Sequence, residues 1–471
     1  MNAKLTALVP ELALAAGAVL GLLAGSWLPR AKQWSVGVLT ALACVVGLVA
    51  TASSWGGVPE TVFGGSYALD VTTHTSRLLV LSGTVLVIWL AGESLGNHPR
   101  KAEFYVLSLL AALGTIVLAG ATDLLLLAAG YLLASIPLYA LAGFSKDAPG
   151  TEASLKYYLL GALLGVTMLT GVTLLYGVGR TTRYVVLVRT LSEAPHSIVA
   201  AGTVLLLAGL LFKIGAVPTH FWVPDVTEGA AAPVAAFVTT VPKVGGLVAV
   251  YRLVSEVVPP TVNWPSLIAV LASASMTLGN LAAFFQESVR RLLAYSTISQ
   301  VGYIMLAVTV ATRSELALPA LLFYTGGYVV TNIAAFAVIS EFPGATRIAD
   351  YRGMARSHPA LAGVLVLSLL GLVGTPPTAV FLGKLEVFSA AVDGGYTWLA
   401  VLAVVNTVIS LFYYLRWMVP ALLAVPGGEH VPLVRAGRWT AACAYTAACG
   451  SLGLGLGGGL VLPGLTGTVL P

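Results

Sequence analysis

The chain has 471 residues, of which 58% are hydrophobic and only 9% charged, with a mean hydropathy of +0.93. Soluble domains carry roughly 25% charged residues, so a water-surrounded globule of this size is excluded. A net charge of +5 does not point to nucleic acid either, because the basic residues fall in short clusters between apolar runs, where they describe membrane topology.

In chain order, the apolar runs lie near 9–28, 35–52, 76–97, 104–121, 122–143, 156–177, 197–223, 230–254, 265–285, 291–312, 316–341, 359–391, 396–419 and 438–462. Each is close to the roughly 20 residues needed to span a bilayer, so the pattern predicts an all-α polytopic membrane protein of about fourteen helices with the lipid bilayer as its surroundings. The first run has no basic leader and is expected to be retained as a helix. Cys44, Cys443 and Cys449 all lie in apolar runs without metal-ligand spacing, and are expected to be packing residues. No extramembrane stretch is long enough for a soluble catalytic domain.

Placing loops on alternate sides puts Arg30, Lys32, Arg100, Lys101, Lys146, Lys156, Arg290, Arg291, Arg347, Arg352, Arg356, Arg416, Arg435 and Arg438 on one side. Lys4, Arg77, Arg180, Arg183, Arg189, Arg252 and Arg313 fall on the other. The positive-inside rule makes the richer side cytoplasmic and, with an even number of spans, both termini external.

Three lysines remain, each inside an apolar run: Lys213, Lys243 and Lys384. A lysine at the bilayer centre costs about 2.5–3.5 kcal/mol on insertion scales. Snorkelling does not rescue Lys213, which lies about ten residues, or roughly 15 Å, from the end of its run; Lys243 is about as deep, and Lys384 is closer to its exit. Lys213 precedes Gly215 and Pro218 in FKIGAVPTHFWVPDV, whereas Lys384 follows Gly374, Pro376 and Pro377 in LVGTPPTAVFLGKLEVF. Proline removes a helical hydrogen bond, and carbonyls freed at membrane depth are tolerated only against protein or water. The seventh and twelfth helices are therefore expected to be broken, with both lysines on the outer side of their breaks. This is a pattern of inverted repeats in which helices 4–8 match helices 9–13. The corresponding units are 1–100, 101–256, 257–420 and 421–471. Lys243 follows Pro242, which predicts a kink and an undonated Val238 carbonyl. Three buried amines joined by water would form a proton relay.

KYYLLGALLG at 156–165, FKIGAVPTHFWVPDVTEGAAAPVAAF at 212–237, RRLLAYSTISQVGYIMLAV at 290–308 and GTPPTAVFLGK at 374–384 resemble the antiporter-like subunits of proton-pumping NADH:quinone oxidoreductase. PDVTEGA, LVPELALAAGAVLGLLAG and EFYVLSLLAALG are most similar to the N-type subunit; a D-type subunit of sodium/proton antiporters is the alternative. The resemblance implies a subunit without cofactor or redox chemistry of its own, partnered by other membrane-arm subunits and antiporter-like siblings, and the Ala, Gly, Val and Leu bias points to a bacterial cell membrane. It implies proton transfer along Lys213, Lys243 and Lys384. It also places a glutamate three residues before the serine of SIPLYALAGF, where this chain has Leu132. That departure admits a third reading, a non-pumping spacer, since neither Asp123 nor Glu93 obviously substitutes. Gln300 stands where the family often has histidine. His220 and Glu386 are further candidates for the relay, although Glu386 is two residues from Lys384 and faces away from it on a helix. Asp225 and Glu228 read as loop charges or proton collectors, and Glu152 and Lys156 as anchors. Asp70 and His74 read as outer-loop residues without assigned chemistry.

Overall fold

The computed structural model describes residues 5–96, 98–423 and 433–471; Lys4 and residues 424–432, within the expected C-terminal unit, lie outside them. The described chain begins with α1 (Val9–Trp27), α2 (Trp34–Ser53) and α3 (Val71–Ser94). It continues through α4 (Lys101–Gly120), α5 (Leu124–Ala142), α6 (Ala148–Gly179), α7 (Tyr184–Glu193), α8 (His196–Ile214), α9 (Trp222–Gly229) and α10 (Ala232–Glu256). The second half comprises α11 (Trp264–Ala283), α12 (Val289–Thr309), α13 (Ala317–Glu341), α14 (Met354–Ser357), α15 (Pro359–Val373), α16 (Ala379–Asp393), α17 (Thr397–Leu422) and α18 (Arg438–Val461).

Among the described residues, 13 helices are long and apolar enough to cross a membrane. The broken pair α15–α16, twelfth in chain order, brings the spans to fourteen. The seventh span is likewise divided, into α8 and α9. Spans 4–8 and 9–13 thus form two five-helix units of opposite direction, each with its break in the fourth span. Each unit opens on a helix pair in near backbone contact. A Cβ at Gly114 of α4 would lie 2.2 Å from the Ala134 nitrogen on α5, and one at Gly302 of α12 would lie 2.6 Å from the Met276 nitrogen on α11. Small residues of this kind let membrane helices approach without a hydrophobic driving force between them.

Helix α10 sits at the centre, with its whole most apolar stretch buried, and α12 and α13 are nearly as enclosed; α1, α6 and α18 are peripheral. The central helices are apolar all round except for isolated polar side chains, which is where function concentrates in membrane proteins.

Several short elements went unread in the sequence. A hairpin pairs β1 (Glu60–Val62) with β2 (Tyr67–Leu69); at three residues each, its strands are too short to show alternation. Helix α7 buries Tyr184, Leu187 and Leu191 at i, i+3 and i+7 spacing, a surface-lying helix too short to span.

The end of the bundle carrying the hairpin also carries a correction. Asp70 is not a free loop residue: it caps α3 through the Thr73 N–H and accepts from Arg252 Nη1 at 2.8 Å and Nη2 at 3.0 Å, both side chains being buried. The Leu470 N–H completes the clasp at 3.0 Å, fastening the C-terminal tail to α3 and α10. Burial alone would raise the Asp70 carboxyl, but the Arg252 guanidinium beside it and the Leu470 N–H hold it well below the ordinary carboxylate range. Arg77 likewise forms a buried pair with Glu11 at 2.8 Å. Arg77 and Arg252 are therefore structural cations rather than topology markers. His74 lies in the first turn of α3, not in a loop. Cys44 and Cys443 are buried, and Cys449 lies exposed on α18.

Candidate functional site: three buried lysines at two helix breaks

Each break ends its first half-helix on a left-handed glycine, Gly215 at φ +73° and Gly374 at φ +90°. The conformation is cheap only for glycine. It turns the chain and leaves the last carbonyls of α8 and α15 without helical donors. Lysine amines fill that role. Lys243 Nζ, from α10, donates to the Ile214 carbonyl, and Lys384 Nζ, from α16, donates to the Val373 carbonyl at 2.8 Å. In both cases the negative end of a half-helix dipole faces the amine.

Lys213 occupies the last turn of α8. Its Nζ donates to the Ala134 carbonyl at 2.7 Å and to Ser135 Oγ at 2.9 Å. It therefore touches α5 one turn from the position where the family places its glutamate. Because Lys213 adjoins Ile214, whose carbonyl holds Lys243, the first two amines are consecutive. All three lysines are at most 3% exposed, and each lies over an aromatic ring: Lys213 over Tyr131 at 5.9 Å, Lys243 over Trp222 at 5.6 Å and Lys384 over Tyr303 at 4.0 Å. Thr407 Oγ1 adds a contact to Lys384 at 3.2 Å. Among the described residues no carboxylate contacts any of the three amines.

Two separate groups of polar contacts lie near Lys243 and Lys384. Four residues before Lys243, Thr239 offers its carbonyl to the Tyr328 hydroxyl at 2.6 Å and its Oγ1 to Asn332 Nδ2 at 3.1 Å. Tyr328 also lies 3.0 Å from Thr297 Oγ1. One turn along α12, Gln300 donates to the Leu372 carbonyl at 2.7 Å and accepts from the Tyr324 hydroxyl at 2.7 Å. Leu372 adjoins Val373, which holds Lys384. Gln300 thus stands at the second break as a hydrogen-bonding group that does not titrate.

The other candidates separate. Helix α10 runs on through Pro242, and the Tyr328 hydroxyl donates to the carbonyl of Thr239, the residue next to Val238. His220 lies in the α8–α9 linker, stacked on Phe221 at 4.5 Å, with Nδ1 buried and unpartnered; it contacts none of the three lysines. Glu386 points away from Lys384, half-buried, without a hydrogen-bond or ion-pair partner among the described residues. Leu132 is 42% exposed on the outward face of α5. Asp225 and Glu228 are not loop charges: they belong to α9, where Asp225 pairs with Lys156 at 2.9 Å and with Arg291 at 3.2 Å, and Glu228 pairs with Arg291 at 3.1 Å. Glu152 pairs with Lys156 at 2.7 Å. Asp123 and Glu93 cap helices, through Leu125 and Leu126 of α5 and through Thr440 of α18 respectively, so neither substitutes for the missing glutamate.

Residues the sequence reading missed, Tyr324, Tyr328 and Asn332, recur every fourth position along α13. They form a polar stripe on an otherwise apolar helix, and that spacing is the signal that would have found them.

Residues 121–410 match the family described as NADH:quinone oxidoreductase/Mrp antiporter, transmembrane. The chain is 53% identical to NADH-quinone oxidoreductase subunit N 1 of Streptomyces griseus subsp. griseus, over 99% of this chain and 98% of the relative. It is 52% identical to subunit N of a Mycobacterium species, over 95% of each. Among solved structures, a chain of respiratory complex I from Thermus thermophilus superposes with a TM-score of 0.84 at 34% identity, over 97% of this chain and 99% of that one. A chain of the Mrp complex from Dietzia shares the fold, with a TM-score of 0.83 at 23% identity over 99% and 96%. The chain belongs to the NADH-quinone oxidoreductase subunit N family, within the wider family of complex I and Mrp antiporter membrane subunits.

Proposed function

We propose that this chain is the N-type membrane-arm subunit of a bacterial proton-pumping NADH:quinone oxidoreductase, and that it carries protons along Lys213, Lys243 and Lys384 while other subunits oxidise NADH and reduce quinone. The observation that carries this reading is the set of three buried amines without a carboxylate partner among the described residues, two of them capping helix breaks, with Thr239, Tyr328, Thr297 and Gln300 as polar groups on the helices between them. An amine bonded to carbonyl and hydroxyl oxygens can hold or release a proton without a fixed counter-ion to trap it, and the breaks supply polar backbone at membrane depth. On this reading the arginine-rich end faces the cytoplasm. Asp225 and Glu228, bridged by Lys156 and Arg291, anchor α9 at the mouth of the path. Glu386 faces a neighbouring chain rather than the relay, and His220 lines the break.

The test is replacement of Lys213 or Lys384 with alanine in the assembled complex, followed by proton uptake coupled to quinone reduction. Pumping falls while NADH oxidation by the redox subunits persists; unchanged pumping contradicts the proposal. Copurification with redox subunits and NADH activity separates it from a sodium/proton antiporter. One observation favours a second reading: with Leu132 turned outward and no carboxylate at Lys213, the first half of the path has no acid to modulate it. A non-pumping spacer predicts that lysine substitutions disturb only assembly.

A further inference from the structure

Two adjoining spaces at the clasped end of the bundle together have the polarity of an amphiphile. The first is a small pocket of mixed polarity, about 130 Å³, bordered by Trp55, Asp70, His74, Gly464 and Thr466. Its two ionisable groups differ in availability: Asp70 is saturated by Arg252, Thr72 and the Leu470 N–H, whereas His74 has a buried Nδ1 without a partner. The second space is an apolar crevice of about 500 Å³ between α2, α3, α13 and α18, bordered by Leu48, Leu78, Leu79, Phe323, Val330 and Leu460. Trp55 and Gly464 border both.

The boundary between them is marked by Thr75. It lines the crevice, is 4% exposed, and its hydroxyl is buried without a hydrogen-bond partner. Side-chain hydroxyls in this chain ordinarily donate back to a carbonyl one turn earlier, as Ser76 and Ser82 do, and leaving one unmet is destabilising. Along α3 the order is therefore an unpartnered imidazole at 74, an unpartnered hydroxyl at 75 and apolar wall from 78 onward. From His74 to Ser82 that wall descends about 12 Å at 1.5 Å per residue. The crevice reaches the exposed apolar surface at Leu460 of α18, which is 90% exposed.

We propose that this is a binding site for one glycerophospholipid, with an acyl chain in the crevice, an ester carbonyl accepting from Thr75, and the phosphodiester in the pocket at His74. A glycerophospholipid fits because it places a hydrogen-bond acceptor at the junction of its polar and apolar parts. An isoprenoid quinone carries carbonyl acceptors on its ring but has no phosphodiester to take the place at His74. The lipid would bridge α3, α13 and the C-terminal tail, adding to the Asp70–Arg252 clasp.

The experiment uses the intact complex, reconstituted into phosphatidylethanolamine/phosphatidylglycerol vesicles doped with a phosphatidylethanolamine carrying a diazirine on one acyl chain. After irradiation, adducts are mapped by peptide mass spectrometry. Adducts are expected on 78–82 and 322–330, displaced by unlabelled phosphatidylethanolamine. They should weaken about fivefold in Thr75→Val, the loss of one hydrogen bond, and disappear in Leu79→Trp, with Val330→Trp as a second blocking variant if the first does not assemble. Equal labelling in wild type and blocked variants, or displacement by an isoprenoid quinone but not by phospholipid, overturns the assignment.

Discussion

Replacing Asp70 with asparagine removes one charge from a fully buried pair and leaves Arg252 uncompensated. The native carboxylate accepts from Arg252 at 2.8 and 3.0 Å, from the Leu470 N–H at 3.0 Å, from Thr72 Oγ1 at 2.6 Å and from the Thr73 N–H at 3.1 Å. Breaking a buried pair from one side costs about 3–5 kcal/mol. Asparagine keeps the size and one acceptor, so the lower end applies, about 3 kcal/mol or roughly a hundredfold in the local opening equilibrium. Leu470 reports directly, since its amide is one of the donors. Hydrogen–deuterium exchange at 466–471 in the assembled complex should accelerate by about that factor in Asp70→Asn. The double variant Asp70→Asn/Arg252→Leu should recover part of the loss, because no stranded charge remains. The folded pKa is lowered relative to the unfolded value of about 3.9. The stabilisation is therefore present above that unfolded value and lost as pH falls through the folded one, so protection of Leu470 should survive mild acid. Unchanged exchange at Leu470 in Asp70→Asn would refute the clasp.

Gly374→Ala forces a non-glycine residue to φ +90° and sets its Cβ 2.8 Å from Lys384 Cδ. The backbone alone costs about 1–2 kcal/mol, and pumping should fall with electron transfer intact, as measured in proteoliposomes. Gln300→Leu strands the Tyr324 hydroxyl and the Leu372 carbonyl, each at about 1–3 kcal/mol. It should lower both the thermal stability of the complex and pumping, whereas Gln300→His, still able to bond, should retain pumping. Leu132→Glu restores an acid one turn from Ser135: if the chain pumps, the pH profile of pumping shifts, and on the spacer reading it stays where it was.

The span count, the two breaks and the three lysines were all legible because each is written locally. Apolar length marks a span, glycine with proline marks a break, and a lysine in an apolar run stands out by its desolvation cost. What lies between the lysines was not legible. Thr239, Thr297 and Tyr328 are ordinary residues in their own helices and become a polar group only when α10, α12 and α13 pack together. Asp70 and Arg252 were misread for the same reason: 182 positions apart, each looks like a loop or interface charge until the fold pairs them. Asp225 and Glu228 read as loop charges because α9 is short, and their pairing with Lys156 and Arg291 depends on α6, α9 and α12 meeting at one end. Leu132 shows the converse, a departure visible at once in sequence whose outward orientation only the packing reveals.

The central claim is that the buried amines carry protons, and Lys243 tests it most directly because it lies between the other two and caps the first break. The measurement is the ratio of protons translocated to electrons transferred in proteoliposomes containing the intact complex with Lys243→Met, which keeps much of the apolar stem and removes the amine. The account predicts a lower ratio with NADH oxidation maintained in uncoupled vesicles. A wild-type ratio in a fully assembled Lys243→Met complex would contradict it.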